Sequence, residues 1–239
     1  MYRELPQTHR HVACIWLRDP EPTARTRRIV PDACADVVWT GAQLVVAGPA
    51  TGPKMASVPA GAAAFGVRFR VGAAGAALGL PASELLDLTV PLEDVWGADA
   101  AAVEDAAASE GPRGLARAVT ARIAAEPDAA VRAAARGTPV GVGERQLRRR
   151  FADAIGYGPR TLERVLRFQR FLALAQTGVA PLARLAIEAG YADQAHLTRE
   201  CTRLAGLPPA ALLADGVGPA GERSESFNTE PGAAATLAA

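Results

Sequence analysis

The chain has 239 residues, of which 49% are hydrophobic, and this content excludes a largely disordered protein. The formal net charge is only +1, and the three cysteines are too widely spaced for a disulfide framework or a CxxC metal pair. The first residues lack an apolar signal core, and no run of about 18 apolar residues is present to span a bilayer. We therefore expect a soluble, cytoplasmic protein of two domains that does not associate with a membrane.

The first part of the chain, to about residue 72, consists of short apolar runs separated by Gly and Pro. Five of them predict β-strands and read HVACIWL, RRIVP, ADVVWT, QLVVAG and AFGVRFRV. In the last run, apolar residues from Phe65 to Val71 alternate with Arg68 and Arg70, as in a half-buried strand. We expect both arginines to face solvent; the alternative is the inside of a barrel that holds an anion. The fold class is α+β, with an antiparallel β barrel or sandwich over residues 1–97.

The middle of the chain changes to helical patterns. The segment PASELLDL opens on Pro81, a common first-turn residue of helices, and residues 98–136 are rich in Ala, Arg and Glu. We predict two or three helices here, in a connector over residues 98–138. After Leu213 large apolar residues become rare, which predicts a disordered tail over residues 215–239.

Positive charge is concentrated in the C-terminal part. Residues 141–213 contain eleven arginines and six acidic residues, a net charge of +5, so the remainder carries −4 of the total of +1. Arginine binds phosphate oxygens and guanine edges well. A GC-rich genome would explain the preference for arginine over lysine but not the clustering. We expect a polyanion as partner.

The same part contains an internal repeat with a spacing of 50 residues. The segment GERQLRRRFADAIGYGP (143–159) aligns without gaps on DQAHLTRECTRLAGLPP (193–209). The matched pairs are Leu147 with Leu197, Phe151 with Cys201, Gly156 with Gly206, and Pro159 with Pro209. Two similar helices at this spacing suggest a protein that contacts one polymer twice.

The second repeat follows a helical segment, and together they predict a helix-turn-helix unit. PLARLAIEAG (181–190) starts with Pro and ends at Gly190, and Asp193 is a good N-cap for the next helix. With Leu197 facing inward, the outward arc holds Ala195, His196, Thr198, Arg199, Thr202 and Arg203. Gln194 lies at the N-terminal tip, where side chains reach base edges in a major groove. The alternative interpretation is that these outward residues form an ordinary exposed polar face of a helix, without a binding role.

The first repeat places Leu147 and Phe151 inward and three arginines outward, namely Arg145, Arg148 and Arg149. Between the repeats, RTLERVLRFQRFLALAQ (160–176) predicts one helix of about 25 Å. That length holds two recognition helices about one DNA turn apart, which favours double-stranded DNA as the polyanion.

At these residues the sequence resembles the AraC/XylS family of bacterial transcription regulators. The segments that carry the resemblance are RQLRRRF, GYGP, LRFQRFLAL, LAIEAGYADQAHLTRE and LAGLPP, within about residues 140–214. The resemblance implies a DNA-binding domain over 139–214, built of two helix-turn-helix units joined by a long helix. The N-terminal part is similar to a β-rich sensor domain of related regulators. A small-molecule effector, a homodimer and RNA polymerase are the further partners that we expect.

Position by position, the resemblance implies base contacts from Gln194, Ala195, His196 and Arg199 in helix 193–205. Contacts to the DNA backbone or bases would come from Arg145, Arg148 and Arg149 in helix 144–155, and from Thr198 and Arg203. One departure concerns VRAAARGTP (131–139), where Gly137 and Pro139 interrupt the expected supporting helix. Another is Gly143, where the family usually has a Ser or Thr cap. We therefore expect a degraded first unit with a shortened or displaced supporting helix.

The N-terminal part shows no constellation that names a ligand. His9, His11 and Cys14 lack a fourth ligand for a metal, so surface histidines are the expected arrangement. Trp16 and Trp39 are expected in the core rather than in a stacking platform. Catalytic motifs such as GxSxG, HExxH and phosphate-binding glycine loops are absent from the sequence, and we expect neither catalysis nor a cofactor or metal.

The sequence thus predicts a sequence-specific, ligand-responsive DNA-binding transcription regulator that docks helices 193–205 and 144–155 into successive major grooves. The alternative is a β-rich ligand-binding or enzymatic protein whose helical C-terminal half mediates protein contacts and no longer binds DNA.

Overall fold

A computed structural model of the chain describes residues 2–178 and 180–216. The strands are β1 (Tyr2–Pro6), β2 (Val12–Arg18), β3 (Arg25–Ile29), β4 (Asp36–Trp39), β5 (Leu44–Ala47), β6 (Lys54–Val58), β7 (Ala64–Phe69) and β8 (Thr89–Pro91). The helices are α1 (Ala74–Leu78), α2 (Leu92–Trp96), α3 (Ala100–Arg122), α4 (Ala129–Ala135), α5 (Glu144–Ile155), α6 (Pro159–Gln176), α7 (Leu182–Ala189), α8 (Gln194–Ala205) and α9 (Pro209–Ala214). No helix in the described ranges is long and apolar enough to cross a membrane.

All strand pairs of the N-terminal domain are antiparallel. Six strands form one sheet in the order β1-β2-β7-β4-β5-β8, and β3 pairs with β6 in a separate two-stranded sheet. Strand β7 lies at the centre, where buried Val67 and Phe69 share a core with Leu115 and Val119 of α3. The predicted order, antiparallel β structure followed by an all-α part, is confirmed.

The five predicted strand segments overlap with β2, β3, β4, β5 and β7, although RRIVP (27–31) starts two residues later than β3. The sequence did not indicate β1, β6 or β8, because β1 and β6 are half-exposed with few large apolar side chains and β8 has three residues. The segment after Pro81 forms one turn of 3-10 helix, Ala82–Leu85. Most of the predicted tail, residues 217–239, lies outside the described residues.

The expectation that Arg68 faces solvent is wrong. Its side chain is buried and lies close to three carboxylates, those of Asp36 at 2.9 Å, Asp32 at 3.4 Å and Glu4 at 3.7 Å. The side of the sheet that alternation assigned to water is covered at this point by polar groups from neighbouring strands and a loop. Arg70 is half-exposed and donates a hydrogen bond to the Gln7 carbonyl oxygen at 2.9 Å.

The histidine and tryptophan expectations had different outcomes. His11 is not a surface residue: it is buried, with Nε2 2.7 Å from the Ala125 carbonyl oxygen. Burial lowers the pKa of His11, partly offset by that hydrogen bond. Trp16 is buried as expected, and half-buried Trp39 stacks on Phe65. Within the described residues, no group of three or more His, Cys, Asp or Glu side chains is arranged to hold a metal ion.

The two domains are in close contact. Gly75 of α1 lies so near α5 that a Cβ atom added to it would be 2.1 Å from the Asp153 carbonyl oxygen. Val30 and Ala33, from the N-terminal domain, are buried in the same apolar core as Phe151 and Leu197 of the helical part. The helical domain therefore completes its core with residues of the β-rich domain.

Candidate DNA interface

The second helix-turn-helix unit consists of α7 and α8. Helix α7 ends at Gly190, and the Tyr191 amide donates to the Ala186 carbonyl oxygen at 2.9 Å, which turns the chain sharply. Helix α8 then begins with Asp193 as N-cap, whose carboxylate accepts a hydrogen bond from the His196 amide at 2.6 Å. The turn between the two helices therefore spans four residues, 190–193.

One face of α8 is buried and the opposite face is open. Leu197, Cys201 and Leu204 are at most 1% exposed, as the helical period predicts. The exposed positions on the other side are Gln194, Ala195, Arg199, Thr202 and Arg203. Thr198 is half-buried, and its hydroxyl donates to the Gln194 carbonyl oxygen at 2.9 Å. The open face presents one amide, two guanidinium groups and one hydroxyl to solvent.

His196 differs from its neighbours on this face. Its half-buried ring contacts the ring of Tyr191 edge-on, with centroids 5.2 Å apart, and its Nδ1 accepts a hydrogen bond from the Ala192 amide at 3.4 Å. These contacts hold the turn that precedes α8. Because Nδ1 is an acceptor here, Nε2 is the ring nitrogen that remains for another partner.

Three arginines outside α8 contact this helix or the turn before it, and sequence reasoning did not identify them. Arg164 of α6 pairs with Glu200 at 2.8 Å, and the Arg167 guanidinium lies 5.5 Å from the Tyr191 ring centroid. Arg28 of β3 donates to the Ala205 carbonyl oxygen. The helical period indicates which side chains of α6 are exposed, but it does not indicate which residues of other elements they contact.

The first unit consists of α4 and α5. Asp128 caps α4, because its carboxylate accepts from the Ala130 and Val131 amides at 2.8 and 3.1 Å. At the start of α5, Gly143 provides no side-chain cap, and Leu147 is only half-buried. The exposed positions of α5 include Arg145, Arg148 and Arg149, of which Arg148 pairs with Glu144.

The two units are unequal in the placement of their first helix. In the 50-residue register α7 corresponds to residues 132–139, whereas α4 occupies Ala129–Ala135. The connection from α4 to α5 spans eight residues, 136–143, twice the four of the second unit. The supporting helix of the first unit therefore lies three to four positions earlier in the sequence and is joined to α5 by a longer loop.

The comparisons with known proteins find matches in two separate parts of the chain. Residues 138–215 match the family model of a helix-turn-helix domain, and residues 5–91 match a domain of unknown function, DUF6597. No curated protein matches the chain. Among solved structures, the apo form of a ToxT variant from Vibrio cholerae is similar over 84% of this chain and 97% of that one, with 12% identity and a TM-score of 0.41.

The helix-turn-helix match covers α5 to α9, the elements that carry the open face of α8 and the arginines of α5, whereas α4 lies before its first residue. The sequence motifs of this segment resemble those of the AraC/XylS family, and the family model identifies it as a helix-turn-helix domain. The chain is thus a DNA-binding transcription regulator whose helix-turn-helix domain is joined to an N-terminal domain of unknown function.

Proposed function

We propose that the protein binds a specific DNA sequence by docking helices 193–205 and 144–155 into successive major grooves. The observation that carries the proposal is the face of α8, which exposes Gln194 and Arg199 on a helix whose other side is fully buried. Gln pairs bidentately with adenine and Arg with guanine in a major groove. The helix α6 between the units supports a spacing of about one DNA turn.

The two helices have different roles in this proposal. Helix α8 reads bases through Gln194, Ala195, His196 and Arg199, and Thr198 and Arg203 contact the backbone or bases. The half-buried ring of His196 restricts it to a contact through Nε2. Arg145, Arg148 and Arg149 of α5 contact phosphates more than base edges, a role that is consistent with an uncapped helix on a longer loop.

In this proposal the N-terminal domain binds an effector, which makes DNA binding ligand-responsive. The alternative role of this domain is to form a dimer. Its direct contact with α5, through Gly75 and Asp153, supports a coupling between the two domains. A ligand changes DNA affinity only if it binds the DNA-competent and the incompetent arrangement with different affinity. The packing of α1 against α5 is a contact through which a ligand of the N-terminal domain can change the arrangement of the DNA-binding helices.

The proposed function is tested by the binding of the full chain to duplex DNA that flanks its own gene, at several salt concentrations. We expect affinity that falls steeply with salt and a footprint of about two helical turns. Arg113→Ala, which removes a positive charge at an exposed position of α3, outside the two helix-turn-helix units, should bind like the wild type. Binding that is absent even at low ionic strength would favour the alternative protein, in which the helical half only contacts other proteins.

A further inference from the structure

Arg28 connects the N-terminal domain to the end of the second recognition helix. Its Nη1 donates a hydrogen bond to the Ala205 carbonyl oxygen at 2.9 Å, across 177 positions of sequence. Its Nε also lies 3.2 Å from the carboxylate of Asp215, just beyond α9. The side chain is 18% exposed, so most of it is enclosed between the domains.

The position of Arg28 matches what the end of a helix requires. The last carbonyl groups of a helix have no partner within it, and a cation is favourable there because of the helix dipole. Helix α8 ends at Gly206, whose φ of +72° favours glycine. A Cβ at Gly206 would lie 3.4 Å from Arg28 Nη1 and 3.4 Å from Pro53. The β3–β6 sheet therefore packs directly against this helix end.

The chain that follows Arg28 stays in contact with the helical domain. Val30 and Ala33 are 5% and 3% exposed within its core, and the Pro31 carbonyl oxygen accepts a hydrogen bond from Gln169 of α6 at 2.6 Å. Ala33 adopts a φ of +67°, which costs free energy outside glycine and persists only where the surroundings enforce it. Residues 28–33, here called the strap, thus run from the end of α8 to the helix that joins the two units.

We propose that Arg28 is a positioning residue for DNA recognition: through the strap, the N-terminal domain fixes the direction of α8 relative to α6 and α5. The direction of α8 determines the separation between the two grooves that the protein contacts. Arg28 therefore contributes to the preference for one spacing between half-sites. This inference rests on the proposed function, because it assigns a determinant of spacing to the same DNA interface.

The test compares Arg28→Ala with two variants of the full chain. Arg25→Ala is the matched control, since it removes the same charge from the same strand, where Arg25 is 62% exposed and pairs with Glu21. Arg28→Lys keeps the charge but cannot reproduce both hydrogen bonds of the guanidinium, so it should restore only part of what Arg28→Ala loses. Hydrogen exchange of α8 without DNA is the first measurement. We expect Arg28→Ala to accelerate exchange in the C-terminal half of α8 about fivefold.

The second measurement uses duplexes selected by the wild-type protein from a random pool, and the same duplexes with one base pair inserted or deleted between half-sites. We expect Arg28→Ala to bind the selected spacing about fivefold more weakly and to lose much of the preference over the altered spacings. A role in overall stability alone would weaken all spacings equally and would overturn the proposal. So would identical behaviour of Arg28→Ala and Arg25→Ala in both measurements.

The two measurements separate this inference from the proposed function. If the wild-type protein binds no duplex, the proposed function is wrong, and with it the role of Arg28 in recognition. Hydrogen exchange then still reports whether Arg28 holds the end of α8. If the wild type binds DNA and the spacing preference of Arg28→Ala is unchanged, only the inference about Arg28 fails.

Discussion

The buried guanidinium of Arg68 makes two parallel hydrogen bonds to the carboxylate of Asp36, from Nε to Oδ1 at 3.0 Å and from Nη2 to Oδ2 at 2.9 Å. Asp36 also accepts a hydrogen bond from Trp16 Nε1 at 3.1 Å. Burial by itself lowers the pKa of Arg68, but Asp36 and Asp32 outweigh it and raise that pKa well above its usual range. Strands β4 and β7 are therefore joined by a charged pair that lies largely out of water.

Removal of this arginine should strongly destabilise the N-terminal domain. Arg68→Met leaves buried carboxylates without their counter-charge, and we expect a loss of about 3–5 kcal/mol in the free energy of unfolding. The measurement is denaturant unfolding followed by tryptophan fluorescence. Arg70→Met is the control: half-exposed Arg70 bonds to carbonyl oxygens, so it should lose about 1 kcal/mol. Equal losses in the two variants would contradict the importance of the buried pair.

The carboxyl of Asp32 should make stability depend on pH. Burial raises the pKa of Asp32 above its usual value of 3.8, although Arg68 partly opposes this effect. The folded state therefore keeps this proton at a pH where the unfolded state has lost it. Over that window the contribution of Asp32 to stability falls as the pH rises.

Asp32→Asn removes this titration and keeps an oxygen that can accept the hydrogen bond from the Cys34 amide, which Asp32 accepts at 2.9 Å. We expect Asp32→Asn to gain stability relative to the wild type as the pH rises above about 4, the pKa of an unfolded Asp. Denaturant unfolding of both proteins across this range measures the difference. A difference that stays constant or shrinks with rising pH would show that the pKa of Asp32 is not raised.

All three cysteines should be unreactive in the folded protein. Burial raises the pKa of Cys14 and of Cys201 to about 12, and that of Cys34 well above its usual range. Since only the thiolate is a good nucleophile, we expect labelling at about pH 8 to be about a thousandfold slower than for a free thiol. Addition of denaturant should expose three thiols to the reagent. Fast labelling of any cysteine without denaturant would indicate an open local structure there.

The sequence predicted those features that depend only on the geometry of a single strand or helix. Regular alternation predicted β7, and the helical period predicted the burial of Leu197, Cys201 and Leu204, because these patterns depend only on the geometry of one element. Arg68 was misplaced because its surroundings come from β1, β4 and the loop before β4, which no local pattern reveals.

The candidate DNA interface shows the same limit. The outward positions of α8 follow from its period, but the contact of His196 with Tyr191 depends on the shape of the turn. Arg28 is separated from Ala205 by 177 positions, and β3 contains two further arginines, Arg25 and Arg27. Nothing in the sequence distinguishes the arginine that holds the end of α8 from the one that faces solvent.

The arginines of α5 and α8 should affect DNA binding in different ways. Arg145→Ala and Arg149→Ala should weaken binding to all sequences about equally and lower the slope of affinity against salt by about one each. Arg199→Ala should relax the preference at one base pair, with a cost of about 1–3 kcal/mol there. Titrations with single-base variants of a selected duplex, at several salt concentrations, measure both effects. A loss at one base pair for Arg145→Ala would instead assign base reading to α5.

The N-terminal caps of the two recognition helices should respond to opposite substitutions. Asp193 accepts a hydrogen bond from the His196 amide, so Asp193→Ala should destabilise α8 by about 1 kcal/mol. Gly143 has an extended backbone, at φ −61° and ψ 148°, and nothing lies within 4 Å of an added Cβ. Gly143→Asp should therefore stabilise α5, by about 0.5–1 kcal/mol, through a new cap and a less flexible unfolded chain.

Thermal unfolding of the two cap variants measures these changes, and Gly141→Ala, also in open space, controls for the loss of a glycine. Because the first turn of α5 has no side-chain cap, Gly143→Asp should also tighten the binding of DNA, despite its added negative charge. A comparison with the wild type at high salt separates the effect of the cap from that of the added charge. Repulsion between the new carboxylate and DNA is screened there, so the variant should then bind more tightly than the wild type. Unchanged stability in Gly143→Asp would mean that the start of α5 is already held by other contacts and gains nothing from a cap.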